Sequence, residues 1–432
     1  MAATTQTRGR LGLTGVILFL LFVLGAVLAL YRFGRGIGWV SNLNQGYPWG
    51  FWIGFDVLAG IALAAGGFVL AAGVHIFGGE KYHPLVRPAI LTAFLGYIFF
   101  IVALLVDLGR PWMIWDMIIW HHHESPMFEV GWCVMCYTFV LLLEFLPAVF
   151  ERFGMSGALR IWHSLTPLLA LALLIVFAIV LTHSAPWVIL LAAVLVIFQL
   201  GVWAGAIRRD PRVPTLLVMA GVIFSILHQS SLGSLFLMAP HKLSPIWYSP
   251  ILPVLFFVSA VMAGMGMVIV ESTLSSRLFG RGLELNLLQG LGRALSWTLL
   301  IYLAIRALDL LLRGVAAEVL SASPQAAWFW VEIVVGLLIP LAILLTPEFA
   351  ASSAGLFSAA ALVVAGLIIN RLNVAIVGIS ARYDTYYPHW MEIAISAGIV
   401  SAGILVFVLI CRHFPVFEEK HAPDPGLRTG AS

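Results

Sequence analysis

Charge is what this sequence has least of. Only 10% of its 432 residues are Asp, Glu, Lys or Arg, whereas 62% are hydrophobic, and its mean hydropathy is +1.04. A soluble domain has too little interior to hide that much apolar surface, so a water-soluble enzyme is excluded and a polytopic membrane protein remains. Cysteine is scarce as well. Cys133-x-x-Cys136 has redox or metal spacing, but with Cys411 as the only other thiol no second pair exists to complete a tetrahedral site. All three read as small buried hydrophobes, and no metal site is expected. Basic runs are missing, which argues against a nucleic-acid partner. No Gly/Ser or Pro linker and no visible repeat divide the chain, so residues 1–413 read as one transmembrane domain and 414–432 as a disordered tail.

What is present is a series of apolar runs long enough to cross a bilayer. They lie near residues 11–31, 50–77, 86–108, 128–150, 161–182, 185–206, 213–238, 249–274, 291–312, 327–346, 355–375 and 391–413. The expected fold is therefore all-α, a bundle of about twelve helices. The polar, basic start at residues 1–10 precedes a run too long for a signal peptide and without a small-residue cleavage site, so this run is read as a retained first span. The fifth and sixth runs share a very tight Thr-His-Ser-Ala-Pro link, and Asn370-Arg-Leu-Asn373 interrupts the eleventh.

An even number of spans puts both ends of the chain on one face. Fifteen Lys and Arg fall on that face, including Lys81, Arg87, Arg152, Arg277 and Arg281, against Arg32, Arg35, Arg110, Lys242, Arg313 and Arg382 on the other. The positive-inside rule then predicts cytoplasmic termini in a bacterial inner membrane. The opposite loops hold Asn42–Gly50, Asp107–Trp112 with His121-His-His-Glu124, and Arg382–Trp390. Their aromatic residues suit a headgroup belt, a docking surface or a ligand mouth.

Lone charges in hydrocarbon cost several kcal/mol, so the few that lie within the spans should pair or face water. Arg306 with Asp309, and Asp107 with Arg110, have i, i+3 spacing and are expected to share a helix face. Asp56, Glu129, Glu332 and Glu392 fall in the half remote from the termini, whereas Glu144 and Glu271 fall near the terminal face. Glu129, Glu144, Glu271 and Glu332 have no basic residue three or four positions away. Each therefore needs either a partner on another helix, such as Arg371, or a role in exchanging protons through internal water.

The densest polar cluster is His228-Gln229-Ser230-Ser231, near mid-depth in the seventh run. One helical turn cannot turn all four to one side, and the nearby Gly233 permits a close neighbour. Two readings compete: a kinked helix whose hydroxyls bond back to preceding carbonyls, and a polar junction joining an outer cavity to the inner carboxyls. Haem ligation across a bundle would need a second histidine at the same depth. The other helical histidines, His75 and His163, sit toward the terminal face, so no haem is expected. The histidines at 121–123 point apart in a loop and read as solvated.

The sequence resembles the HybB-type integral membrane subunits of periplasmic NiFe hydrogenases and, through them, the NrfD or polysulfide-reductase membrane-subunit superfamily. The resemblance is carried by Ser41–Asp56, Tyr82–Ala89, Asp107–Arg110, Phe128-Glu129, Leu143–Ala148, His228–Leu235, Phe329–Glu332 and Tyr387–Trp390, in the family's order over most of the chain. It implies a periplasmic iron–sulfur partner, with a catalytic subunit such as a NiFe hydrogenase behind it, passing electrons to menaquinone or ubiquinone bound in the outer half of the bundle. It also implies Asp56, Asp107, Arg110, Glu129 and His228 as quinone-site and proton-entry residues, with Trp49 and Tyr97 as ring contacts. Gln229, Ser230 and Ser231 join the ligand-contact candidates. Glu144, Glu271 and Glu332 are the relay candidates, and proton translocation is the associated expectation. The chain departs from this pattern in an inserted apolar pair at 161–206, expected to face lipid, and that insertion leaves the soluble partner open.

Two other classes remain. An ion- or solute-coupled transporter would be expected to show repeated halves with broken helices, and none are visible in the sequence. The other is a structural membrane anchor with no quinone site.

Overall fold

Leu, Val, Ile, Phe and Ala dominate each apolar run, and in hydrocarbon such a run must close its own backbone hydrogen bonds, which a helix does. The structure, a computed structural model, describes residues 12–47, 49–120, 122, 124–182, 184–205, 213–380 and 386–417. Within them lie twelve helices of membrane-crossing length: α1 (Gly12–Arg35), α2 (Ile53–Ile76), α3 (Glu80–Asp107), α4 (Pro126–Arg152), α5 (Ser156–Thr182), α6 (Ala185–Trp203), α7 (Thr215–Met238), α8 (Leu252–Phe279), α9 (Leu285–Leu312), α10 (Pro324–Leu345), α11 (Ser353–Val377) and α12 (Trp390–His413). The twelve expected spans are all present. His121, His123, Arg382 and the basic residues of both ends and of segment 206–212 lie outside the described residues.

Helix starts follow local chemistry. Proline opens α4 and α10, where a missing N–H costs nothing. Ser323 caps α10 at the Ala326 amide (3.2 Å), and Ser352 caps α11 at the Gly355 amide (3.0 Å). The Asn370–Asn373 interruption does not end α11. The helix widens there into a π turn at Asn373–Val377, and Asn370, Arg371 and Asn373 all turn inward and are buried. Similar π turns occur at Ile53–Ala59 and Ala72–Ile76 in α2 and at Val334–Leu338 in α10. Side chains satisfy carbonyls in these irregular helices: Tyr47 donates to Ile376 O (2.6 Å) and Gln229 to Ile61 O (3.1 Å).

Two four-helix groups stand side by side, α2–α3–α4–α7 and α8–α9–α10–α11, joined through contacts of α8 with α2 and α7. This grouping, invisible in the sequence, arises because α5 and α6 leave the first group and return to it. α5 is held to the bundle by Trp162, whose indole donates to Leu143 O (2.9 Å), and by the edge contact of Phe177 with Phe224. α6 exposes Trp187, Ile189, Val194 and Ile197 on its outer side. α1 and α12 pair outside the first group. The start of the sequence-assigned tail is packed rather than free: Phe414 meets Phe145 and Phe153, Val416 is buried, and the Arg281 guanidinium lies 3.5 Å from the Phe417 ring centroid. Residues 418–432 lie outside the described residues.

Helix crossings close enough for backbone contact depend on glycine. A Cβ on Gly366 would lie 2.0 Å from the Gly336 Cα, and one on Gly25 would lie 2.7 Å from the Gly398 Cα. Neither backbone can retreat without opening its helix pair. Gly366→Leu is expected to destabilise the α10–α11 crossing by about 1–3 kcal/mol, read as a lowered thermal midpoint in detergent. Gly109, with nothing near its missing side chain, should accept Ala at the wild-type midpoint.

Candidate functional site

On the face remote from the termini, a cavity of about 1120 Å³ opens between the ends of α2, α3, α4 and α7 and the connecting segment 108–125. Its wall is apolar: Ile53, Phe100, Leu104, Phe128, Val134, Leu232 and Phe236. Trp49 lies edge-on to Phe236 at 5.5 Å. The connecting segment is seated on α4 by the Trp132 indole, which donates to Met117 O (3.1 Å), and by Gly131, where a Cβ would come 2.7 Å from Met117 Sδ. Arg110, Asp116, His122 and Glu124 supply the polar part of the lining.

Polar groups gather just behind the apolar wall. His228 is fully buried, with Nδ1 2.9 Å from the Tyr97 hydroxyl, its ring 6.1 Å from that of Phe100, and Nε2 without a partner. Ser231, on the next turn of α7, places its hydroxyl 2.7 Å from Glu129 Oε1 and 2.8 Å from Leu227 O. One hydroxyl proton serves two acceptors. Gln229 reaches the opposite way, to α2, and its Oε1 has no partner. Within about one turn of α7, His228, Gln229 and Ser231 thus face α3, α2 and α4 respectively. The back-bonding of the first sequence reading is present: Ser231 and Ser234 bond back to carbonyls, the latter to Ser230 O at 3.3 Å. Gly233 has the close neighbour expected of it: a Cβ there would be 2.8 Å from Leu252 O.

The other sequence-selected acids fall elsewhere. Asp56 is buried and accepts from Ser396 (2.5 Å) on α12. Asp107 and Arg110 do not share a helix face. α3 stops at Asp107 because Leu108 turns extended (ψ 128), which sends Arg110 to the cavity lining while Arg32 and Glu392 become the charges near Asp107. Glu392 in turn accepts from the amides of Asn42 and His389 (both 3.0 Å) and from the Tyr386 hydroxyl. Burial, reinforced by that bond, holds the Tyr386 phenol far above its ordinary pKa. Asp56 and Glu271 line a second cavity of about 370 Å³ between α2, α3, α8 and α12, with Glu271 Oε1 unpartnered.

Glu332 and Arg371 are held rather than open. The Glu332 carboxylate accepts from Trp247 (3.0 Å), Asn370 (2.8 Å) and Asn373 (2.9 Å), while Arg371 donates to Asn370 Oδ1 (2.6 Å), Ser259 (2.7 Å) and Phe256 O (3.2 Å). Arg306 does meet Asp309 (3.4 Å), but Arg313 binds it more closely (2.7 Å), a partner the sequence reading passed over despite its i, i+4 spacing. It also passed over Tyr137 and Ser225. Ser225 stands three residues before His228, the spacing of one helix face.

Removing one member of the Glu332 network strands the others. Arg371→Met is expected to cost about 3–5 kcal/mol, and adding Glu332→Gln should restore part of that loss in a double-mutant cycle of thermal stability. Additive effects would show that the two charges do not communicate through Asn370.

Over residues 39–381 the chain matches the family described as polysulphide reductase, NrfD. It is 37% identical over 423 residues to a protein of Nitratidesulfovibrio vulgaris, covering 95% of both chains. To the probable Ni/Fe-hydrogenase 2 b-type cytochrome subunit of Escherichia coli it is 30% identical, over 94% of this chain and 92% of the relative. The menaquinone reductase integral membrane subunit of N. vulgaris is 26% identical over 93% and 91%.

Proposed function

As the chain belongs to the NrfD family, we propose that it is the quinone-reactive, multi-pass inner-membrane subunit of a respiratory oxidoreductase complex. The observation that carries this is the large aromatic-lined cavity with the Glu129–Ser231 and Tyr97–His228 pairs immediately behind its wall. The named functions of two relatives, a menaquinone reductase subunit and a hydrogenase subunit, point the same way.

A quinone needs a flat, apolar slot and hydrogen-bonding groups within reach, and this cavity fits that description. Trp49, Phe128 and Phe236 would hold the ring, and Arg110 stands in the lining to receive an anionic or carbonyl oxygen. When bound, a quinone supplies two-electron redox chemistry that takes up two protons. Glu129 would hold one proton at its carboxyl, oriented by Ser231, while His228 holds the second, its tautomer set by Tyr97. The apolar wall keeps bulk water from both. A haem is not part of this reading: His75 packs against His83 at the last turn of α2, and His163 packs against Trp162 on α5.

With the terminal face in the cytoplasm, the far face meets a periplasmic iron–sulfur subunit and, through it, a hydrogenase or related catalytic subunit. The exposed Trp39, Trp112, Trp120, Tyr387 and Trp390 offer that partner a surface. Electrons run toward the quinone, and protons enter from the terminal face, where Glu144 and Glu271 stand as relay groups. Asp56 and Asp107 serve proton entry from the α12 side.

Quinone should co-purify with the protein. Glu129→Gln and His228→Ala should each lower quinone reduction by about 100-fold or more in an assembled complex, with assembly checked by size-exclusion chromatography. Wild-type rates in both variants would favour a quinone-free anchor.

A further inference from the structure

The seam between α4 and α7 continues past His228 toward the terminal face. Along α4 the residues facing α7 include Cys133, Tyr137, Val140 and Glu144; along α7 they include His228, Ser225 and Gly221. The Tyr97 and Tyr137 rings stand edge to face at 4.7 Å. Ser225 is fully buried and faces both phenols. The Tyr137 hydroxyl, Ser225 Oγ and His228 Nε2 are all buried and make no hydrogen bond of ordinary geometry, although Ser225 stands close to both phenols. Buried polar groups are nearly always well satisfied, so three groups on one seam without a well-formed hydrogen bond mark a line of polarity built for more than packing. Beyond them Gly221 lets α4 and α7 approach closely: a Cβ there would lie 3.2 Å from Val140 Cγ1 and 3.6 Å from both Glu144 Oε1 and the Tyr137 ring, so the carboxyl and the phenol converge on the bare Cα.

We propose that Tyr137 and Ser225, with the close approach that Gly221 allows, carry protons from Glu144 to the Tyr97–His228 pair. Each hydroxyl accepts a proton on one side as it releases its own on the other, with internal water bridging the remaining gaps. The residues end each transfer in their starting state, so no oxidant or reductant is consumed. Tyr137 and Glu144 are seven residues apart on α4, about 10 Å of helix rise, but their side chains bend toward each other at Gly221, each 3.6 Å from the position of its missing Cβ. The route rests on the quinone reading for its purpose but not for its existence, and it differs from the Asp56–Glu271 cavity in using neutral hydroxyls rather than a second acid.

The test has one arm without quinone and one with it. In the purified full chain, infrared-detected deuterium exchange at the Tyr137 phenol, assigned with Tyr137→Phe, is expected to slow about tenfold or more in Gly221→Val. Gly221→Ala, which needs only a small shift of Val140, should lie between. In the intact complex, Tyr137→Phe and Gly221→Val should lower kcat about tenfold or more, raise the solvent deuterium isotope effect and leave the quinone KM within about twofold. Small weak acids that diffuse into the bundle should recover part of the loss, and Ser225→Thr should outperform Ser225→Ala. Wild-type exchange in a folded Gly221→Val protein would show that protons reach Tyr137 from elsewhere and would overturn the route. So would a changed KM with an unchanged isotope effect. Failure of quinone to bind the wild type would instead remove the functional reading and leave the exchange result standing.

Discussion

Hydrocarbon offers no hydrogen bonds, and that single constraint shapes every interior feature of this protein. A polar side chain placed in a spanning helix must find a partner on another helix or face a cavity, because the bilayer will not solvate it. The chain does both. In the α8–α11 group, Glu332 and Arg371 are tied through Asn370, Asn373, Trp247 and Ser259, and Asp309 is gripped by Arg306, Arg313 and Ser249. Those charges are spent on one another. Both groups also keep buried polar atoms unpaired: Glu271 Oε1, Arg306 Nε and Arg371 Nε in the α8–α11 group, and one atom each of His228, Tyr137, Ser225 and Gln229 in the α2–α3–α4–α7 group.

A dense network of the Glu332 and Asp309 kind fixes helix register. Atoms left unpaired are costly to keep, and two of them, His228 Nε2 and Ser225 Oγ, lie on the face of α7 turned to α3 and α4. The large cavity opens where α2, α3, α4 and α7 end.

Much of this was legible in the residues themselves. Twelve apolar runs gave twelve helices because run length and bilayer thickness are the same physical quantity. His228 stood out because imidazole is costly in oil, and it is fully buried. The Asp107–Arg110 expectation failed for a backbone reason: i, i+3 spacing brings two side chains together only while the helix continues, and Leu108 ends it. Arg313 was overlooked because it was counted as a loop charge, though it reaches back to Asp309. Tyr137 and Ser225 were overlooked because tyrosine and serine in a membrane helix are ordinary unless their hydroxyls prove unpaired, a property of neighbours on other helices.

Sequence alone determined the class of solvent, the number of spans and which residues are too polar for lipid, because hydropathy is a sum over one segment at a time. Only the tertiary structure decided which of those polar residues are mutually satisfied and which are left open. It grouped the helices into two sets, put Arg110 and Trp49 at the large cavity and Asp56 at another, and locked Glu332 while leaving His228 Nε2 free. Each of those outcomes depends on groups far apart in the chain meeting across a helix interface, and no window along a single helix contains that information.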